Sequence, residues 1–280
     1  MGRVFTKHWA DYELLDAGND KKLERWGEVI TIRPDRNAYF KSVWTNKKWY
    51  DLAHFEFKEE TSTKGEWHEL KIGTSKSWQI SYQSLKFNLK LTQFKHVGVF
   101  PEQRANWDFI SKQAKPNGKF LNLFAYTGGA SLAANANGAN TFHCDSIRQI
   151  NNWAKENMES SDQSNIHWVL EDAVKFAQRE VKRGNTYQGI IMDPPAFGLG
   201  AKKERWKIEQ RFPILIKLAA QLLKPDGFLI VNTYSPRLSI DKIQSIVHEH
   251  FQNKKVEVDK LCVKTTTGKV IEYGELTRVY

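Results

Sequence analysis

The chain has 280 residues, 40% of them apolar, which is enough to fill the core of one large domain or two small ones. Its two cysteines, Cys144 and Cys262, cannot form a disulfide framework and lack a zinc-binding spacing, and no apolar run could cross a bilayer, so we expect a cytoplasmic protein. The formal net charge of +10 favours an anionic partner such as nucleic acid.

The first 95 residues form a distinct region that is rich in tryptophan. Runs such as residues 28–32 and 85–91 alternate apolar with polar side chains, and this period of two predicts strands. Turn-forming pairs, Pro34-Asp35 and Lys64-Gly65, separate such runs. We predict a small, mostly β amino-terminal domain over residues 1–95. Its tryptophans are expected in the hydrophobic core, and the alternative is that they form a binding platform.

From about residue 116 the sequence alternates between predicted strands and helices. The strands are predicted at 120–124, 141–145, 166–171, 188–193 and 227–233, and the helices at 128–137, 146–158, 172–183, 206–223 and 239–250. Repeated βα units predict an α/β domain over residues 96–280, a doubly wound and mostly parallel sheet with helices on both faces. Residues 256–263 and 271–279 predict a hairpin that adds an antiparallel edge.

A glycine turn follows the first strand of this sheet. It reads Ala125-Tyr126-Thr127-Gly128-Gly129, and glycines in such a turn let backbone amides approach a ligand closely. The dinucleotide fingerprint and the phosphate-binding loop are both absent, so neither a nicotinamide nor a nucleoside triphosphate is favoured. The alternative is a helix start that serves packing alone.

Acidic residues follow the next two strands. Asp145 lies where a carboxylate could accept hydrogen bonds from ribose hydroxyls, and Asp172 lies where it could face an adenine ring. Either acid alone could be an ordinary helix N-cap. A glycine turn and two acids on three consecutive strand ends are harder to explain by capping.

The fourth strand ends at Asp193-Pro194-Pro195-Ala196-Phe197. Proline fixes its own φ and disfavours helix in the preceding residue, so the Asp193 carboxylate is held rigidly at the strand's carboxyl end. In open α/β sheets this end binds ligands. The motif therefore indicates a reaction site.

Together these motifs resemble the class I S-adenosylmethionine-dependent methyltransferases, specifically the branch of 23S ribosomal RNA methyltransferases with a DPPxF motif. The resemblance covers residues 95–235. The glycine turn is similar to the branch's SYTGG loop, and residues 98–103 are similar to its cofactor-covering segment, although Pro101 and Glu102 depart from the usual sequence there. Residues 1–90 match nothing informative.

The resemblance implies a seven-stranded methyltransferase sheet, S-adenosylmethionine as cofactor and RNA as partner. It implies a catalytic set comprising Asp193, Pro194, Pro195 and Phe197. The implied cofactor-binding set is Phe100, Gln103, Phe124, Ala125, Tyr126, Thr127, Gly128, Gly129, Asp145, Ser146, Asp172, Ala173 and Asp193.

The absence of two residue types, a cysteine and an aromatic residue, at particular positions limits which atom could accept the methyl group. Methylation of cytosine C5 requires a covalent cysteine adduct, and the segment after the fifth strand, residues 231–236, contains no cysteine. A ring nitrogen such as guanine N7 needs only orientation, which Asp193, Asn232 and Tyr234 could supply. Adenine-N6 enzymes typically place an aromatic residue directly after the two prolines, whereas this chain has Ala196 there. Phe197 could stack on a flipped base or pack against the sheet.

Cationic residues near the motif are candidates for RNA contact, with a solvated helix start as the alternative. The predicted substrate-binding residues are Lys202, Lys203, Arg205, Asn232, Tyr234 and Arg237. The histidines show no ligand spacing, so no metal is predicted. Two other functions stay open: a methyltransferase with a protein or small-molecule acceptor, and a non-catalytic RNA-binding assembly factor.

Overall fold

The computed structural model describes residues 2–6, 8–61, 64–199 and 205–280, and the chain divides into two compact units. The large-sheet unit contains Met1–Val4, Ala105–Leu261 and Gly274–Tyr280, and the amino-terminal unit contains Phe5–Arg104 and Cys262–Tyr273. These bounds differ from those of the predicted domains, because residues distant in sequence join the amino-terminal strands. Arg104 donates to the carbonyl of His8 at 2.6 Å, and Thr266 donates to that of Leu14 at 2.9 Å.

The first ninety residues contain short strands and one short helix. In chain order they are β1 (Arg3–Phe5), β2 (Tyr12–Gly18), β3 (Lys21–Trp26), β4 (Val29–Pro34), α1 (Asn46–Leu52), β5 (Phe55–Glu59), β6 (Gly65–Glu69), β7 (Ser77–Tyr82) and β8 (Leu85–Lys90). Strands β2 to β6 form one sheet in sequence order, and β7 pairs with β8. The predicted mostly β amino-terminal region is confirmed.

The interior of the amino-terminal unit is both aromatic and ionic. Trp9, Trp26 and Trp49 are buried, in agreement with a core role. The buried Arg33 guanidinium makes two hydrogen bonds with Glu24, at 2.7 and 2.8 Å. Because removing one partner would leave an uncompensated buried charge, this pair ties β3 to β4 structurally.

The rest of the chain alternates between helices and strands. After a 3-10 turn at Pro101–Gln103 come α2 (Arg104–Gln113), β9 (Lys119–Leu123), α3 (Gly129–Asn135), β10 (Asn140–Asp145), α4 (Arg148–Ser160), β11 (His167–Leu170), α5 (Ala173–Lys182), β12 (Tyr187–Met192), β13 (Phe197–Leu199), β14 (Arg205–Lys207), α6 (Ile208–Leu222), β15 (Leu223–Thr233), α7 (Ile240–His250), β16 (Val256–Lys264) and β17 (Val270–Val279).

The large sheet has the order β1-β16-β17-β15-β12-β9-β10-β11. Strands β11, β10, β9, β12 and β15 are parallel to their neighbours, whereas β17 runs antiparallel to β15. The predicted parallel sheet and antiparallel hairpin are confirmed. The sheet has eight strands rather than seven, because β1 pairs at the edge, where Lys260 donates to the Gly2 carbonyl at 3.0 Å.

Two local features were not predicted. Helix α2 lies outside the predicted βα pattern, and β13 forms an antiparallel ribbon with β14 in which Phe197 opposes Lys207. The helix predicted from residue 206 therefore begins only at Ile208, because the three residues before it are paired in the ribbon.

The core of the large-sheet unit lies between its strands and helices. Every residue of β12 is buried, and Ile190 and Met192 pack in one cluster with Phe212 and Leu215 of α6. Strands buried on both faces are expected in a parallel sheet that carries helices on each side. Among the described residues, no helix combines the length and apolar character that crossing a membrane requires.

Candidate functional site

Four of the predicted site residues of the large-sheet unit lie in one row across four adjacent strands. Leu123 of β9 is the register partner of both Cys144 of β10 and Met192 of β12, and Met192 is the partner of Val231 of β15. The next residue on each strand is therefore at one level of the sheet. The row reads Asp145, Phe124, Asp193 and Asn232. With strands about 4.8 Å apart, the backbones of Asp145 and Asp193, which are two strands apart, are separated by roughly 10 Å.

The glycine turn has an unusual backbone. Gly128 has φ of +92°, in the left-handed region that glycine tolerates best, but Phe124 and Tyr126 also have positive φ, at 58° and 49°. A non-glycine residue in this region costs on the order of 1 kcal/mol or more and persists only when its surroundings impose it. Phe124, directly before the turn, and Tyr126 within it are therefore held in this conformation by their surroundings.

Asp145 imposes this shape. Its two carboxylate oxygens accept hydrogen bonds from the backbone amides of Tyr126 and Ile147, both at 3.0 Å. Burial raises the pKa of the Asp145 carboxyl, while these amide hydrogen bonds oppose the shift. The carboxylate therefore fixes the glycine turn and lies at the strand end where it is predicted to contact ribose.

The other face of the turn packs against α2. A Cβ at position 129 would lie 2.6 Å from Cζ2 of Trp107, a buried side chain, so only glycine allows this approach. Trp107 was not identified from the sequence, because nothing local links a tryptophan of an unpredicted helix to a turn some twenty residues later.

A buried polar chain lies near the glycine turn. Asn122 of β9 donates to Ser131 Oγ of α3 at 2.9 Å, and Ser131 Oγ lies 3.0 Å from Nδ1 of His143 on β10. Burial lowers the pKa of His143 to about 3, so the ring is neutral at physiological pH. This hydrogen-bonded chain links helix α3 to strands β9 and β10.

We expect the free energy of unfolding to fall on acidification because of His143. Its ordinary pKa is 6.5 and its folded pKa is about 3, so only the unfolded chain gains a proton as the pH falls between these values. The contribution of His143 to the free energy of unfolding is fully present above pH 6.5, and below that pH it falls by about 1.4 kcal/mol per pH unit until about pH 3. Urea unfolding gives the loss of unfolding free energy between pH 7 and pH 5. This loss should be about 2 kcal/mol smaller in His143→Asn than in wild type.

The exposed His248 supplies the control, since His248→Gln should retain the wild-type pH dependence. If the free energy of unfolding changed equally with pH in wild type and His143→Asn, the prediction would be contradicted.

Asp172 caps helix α5, accepting a hydrogen bond from the Lys175 amide at 2.9 Å. The capping alternative is therefore correct for one of its oxygens, and a role at the adenine end stays a prediction.

Cys144 is fully buried, and burial raises the pKa of its thiol. Cys262 is fully buried as well.

The Asp193 motif leads directly into the β13–β14 ribbon. Trp206 donates its indole N–H to the Pro195 carbonyl at 2.6 Å, and its ring meets that of Phe124 edge-on at 5.4 Å between centroids. Trp206 thus connects the motif to the glycine turn. Phe197 is 62% exposed, so it does not pack against the sheet.

Asn232 is held by a second hydrogen-bonded chain. Arg278 of β17 donates to Oδ1 of Asn106 at 3.3 Å, and Nδ2 of Asn106 donates to Oδ1 of Asn232 at 3.2 Å. A guanidinium can only donate, so it fixes the orientation of the Asn106 amide and, through it, that of Asn232. Asn232 is thereby held next to Asp193 in the row.

The other predicted site residues are distributed as follows. Phe100 and Gln103 belong to the amino-terminal unit, where Gln103 donates to the Phe100 carbonyl at 3.1 Å. Tyr234 directly follows β15, and Arg237 is exposed. The remaining cations are Arg205, in β14, and Lys202 and Lys203, outside the described residues. Among the described residues, no metal-binding group of His, Cys, Asp or Glu is present.

The mostly parallel sheet and the row of residues at its strand ends define the class, a doubly wound α/β protein with a ligand site at the carboxyl ends of its strands. Comparison with known proteins gives the family. The sequence profile of the S-adenosylmethionine-dependent methyltransferase family matches residues 43–253. This is most of the chain, which therefore belongs to that family, as predicted.

Curated relatives and a solved structure agree with this assignment. The chain is 33% identical over 187 residues to the ribosomal RNA large subunit methyltransferase K/L of Syntrophotalea carbinolica, covering 61% of this chain and 26% of the relative. It is 30% identical over 244 residues to the protein of the same name from Hahella chejuensis, covering 86% of this chain and 32% of that one. The chain thus spans about a quarter to a third of the length of these relatives.

A crystal structure of an S-adenosylmethionine-dependent methyltransferase from Agrobacterium tumefaciens superposes with a TM-score of 0.92 and 32% identity, over 99% of this chain and 92% of that one. S-adenosylmethionine is therefore the cofactor. The chemistry of the row fits this cofactor, because the Asp145 carboxylate is held beside the glycine turn by the Tyr126 amide at 3.0 Å, and a carboxylate is a suitable acceptor for ribose hydroxyls.

Proposed function

We propose that this chain methylates a base of large-subunit ribosomal RNA, using S-adenosylmethionine as methyl donor. The observation that carries the proposal is the row at the carboxyl ends of β10, β9, β12 and β15, which gathers Asp145, the glycine turn, Asp193 and Asn232. The names of the curated relatives support ribosomal RNA as the substrate. A cytoplasmic location belongs to the same proposal.

The proposed site divides into a cofactor side and an acceptor side. On the cofactor side, the glycine turn and Asp145 would hold the nucleoside, with Asp172 toward the adenine. When bound, S-adenosylmethionine supplies an electrophilic methyl group. The chain's own residues mainly align the acceptor and provide a matching electrostatic environment.

On the acceptor side, the Asp193 carboxylate would accept a hydrogen bond from the edge of a base, with Asn232 beside it in the row. The exposed Phe197 ring follows the two prolines and is available for stacking on a base removed from its helix. The three residues together suit recognition of a flipped nucleotide.

The nucleophile in this proposal is an atom that needs no covalent activation, such as a ring nitrogen. Cytosine C5 methylation requires a cysteine thiolate at the acceptor. Cys144 is two strands away from β12 in the sheet, and burial raises its thiol pKa. The row supplies no thiol, which favours nitrogen over C5.

The test is transfer of radiolabelled methyl groups from S-adenosylmethionine to large-subunit RNA isolated from a strain that lacks this protein. We expect label in the RNA, and mass spectrometry of its nucleosides should show one methylated base that wild-type RNA already carries. RNA from the wild-type strain should accept little label.

Ribonuclease treatment distinguishes the alternatives. Label that survives digestion in a crude acceptor fraction would assign a protein or small-molecule acceptor instead. Binding of RNA without calorimetric binding of S-adenosylmethionine would indicate a non-catalytic assembly factor, and 5-methylcytosine as product would contradict the proposed chemistry.

A further inference from the structure

The amino-terminal unit carries an exposed segment that combines cations with aromatic side chains. Residues 36–50, here called the basic aromatic segment, contain four cations and no acidic residue. The cations are Arg36, Lys41, Lys47 and Lys48, and all are exposed. The segment also contains five aromatic residues, and Tyr39 is 83% exposed, more than any other aromatic side chain among the described residues.

The backbone of this segment is fixed to the sheet beneath it. The amides of Asn19 and Asp20 donate to the carbonyls of Phe40 and Ala38, at 2.7 and 2.9 Å. Position 18 lies so close to the backbone of Ser42 that only glycine fits there.

A buried carboxylate completes the anchoring. Asp16 is fully buried and accepts from the backbone amide of Trp44 at 2.8 Å and from the indole N–H of Trp49 at 3.0 Å. Tyr39 therefore projects from an ordered loop. An ordered loop loses little conformational entropy when it binds a partner.

The cations lie next to aromatic faces. Lys48 Nζ is 3.5 Å from the centroid of the Trp44 ring, and Lys269, from the hairpin tip in the same unit, is 5.6 Å from that of Phe40. Positive charge in the same segment as the exposed Tyr39 ring matches the chemistry of single-stranded nucleic acid, whose phosphates pair with cations and whose unstacked bases stack on aromatics.

We infer that the basic aromatic segment binds single-stranded RNA, with Tyr39 as a stacking platform and Lys41 and Lys48 as phosphate contacts. The inference rests on the proposed function, since it names a surface that engages the same class of substrate. Duplex RNA fits less well because its bases offer no open face to Tyr39. An anionic membrane fits less well because the helical part of the segment is only residues 46–50 of α1, which is too short for an interfacial amphipathic helix.

The test measures binding of the full chain to a fluorescent oligouridylate of about twelve nucleotides by anisotropy. Tyr39→Ala should weaken binding about five- to hundredfold, whereas Tyr39→Phe, which keeps the ring face, should bind within about twofold of wild type. The Lys41→Gln/Lys48→Gln double variant should reduce the slope of log affinity against log salt by about 1.4, since each phosphate contact contributes about 0.7.

Matched controls come from the same unit. Phe94→Ala removes an exposed aromatic and Lys58→Gln an exposed cation, both outside the segment, and neither should change RNA binding. Unchanged thermal unfolding and S-adenosylmethionine affinity in Tyr39→Ala would show that the variant is folded.

The inference is overturned if wild type does not bind the oligouridylate, if Tyr39→Ala binds as well as wild type, or if Tyr39→Phe binds as poorly as Tyr39→Ala. Stronger binding to a duplex of equal length, to phosphatidylserine vesicles, or a Tyr39-dependent dimer in sedimentation would also overturn it. Methyl transfer to large-subunit RNA is measured in parallel. Transfer without Tyr39-dependent binding refutes only this inference, and Tyr39-dependent binding without transfer refutes only the proposed function.

Discussion

Replacing Asp193 with alanine is expected to lower the turnover number for methyl transfer by about a hundredfold or more, because the charged group that we propose to face the reacting base is lost. The carboxylate lies at the level of Asn232 and Asp145, held by the rigid pair Pro194 and Pro195. Substrate binding should change less, since a single carboxylate is a small part of the surface that the proposed RNA substrate would contact. Single-turnover transfer of radiolabelled methyl groups separates turnover from affinity.

Asp193→Asn provides the companion variant, because it keeps the shape and an acceptor oxygen but loses the charge. If Asp193 serves as a hydrogen-bond acceptor, the asparagine variant should retain more activity than the alanine variant. Asp226→Asn is the control, since Asp226 is an exposed carboxylate near the start of β15, paired with Lys115. Wild-type turnover in Asp193→Ala would contradict the prediction.

Replacing Gly129 with alanine is expected to weaken both the fold and cofactor binding. The added Cβ would lie 2.6 Å from Cζ2 and 2.8 Å from Cε2 of Trp107, so the glycine turn or the indole must move. Overpacking of this kind costs about 1–3 kcal/mol of unfolding free energy. A shift of the turn should also weaken S-adenosylmethionine binding about tenfold or more, equivalent to about 1.4 kcal/mol. Urea unfolding and calorimetry measure the two effects.

Gly189→Ala separates the two effects. A Cβ there would lie 2.5 Å from Phe228 Cζ in the sheet core, so this variant should be destabilised similarly while its cofactor affinity is retained. Adding Trp107→Leu to Gly129→Ala should restore part of the lost affinity, as a double-mutant cycle would show. Equal cofactor affinity in Gly129→Ala and wild type would contradict the prediction.

Much of the large sheet could be read from the sequence. The strand ending at Met192 and the helix after Asp172 were predicted within one or two residues, because apolar periodicity and turn residues are local signals. The same signals placed the glycine turn and three acids at consecutive strand ends. Helix α2 was not predicted, because it precedes the first strand of the large sheet's βα alternation and so lies outside that pattern.

Some properties of the site depend on packing between distant residues. The positive φ of Phe124 and Tyr126 accompanies a carboxylate about twenty positions away, and the orientation of Asn232 follows from Arg278 through Asn106. No pattern within a short window encodes such contacts.

The sequence by itself therefore determined the class of fold, the family and the types of residue at each strand end, since these follow from local periodicity and from short motifs. Only the tertiary structure decided that Asp145, Asp193 and Asn232 share one level of the sheet, because register is fixed by hydrogen bonding between strands far apart in the chain. It also distinguished the buried Trp26 from the exposed Tyr39, because the burial of an aromatic residue depends on which distant elements pack over it.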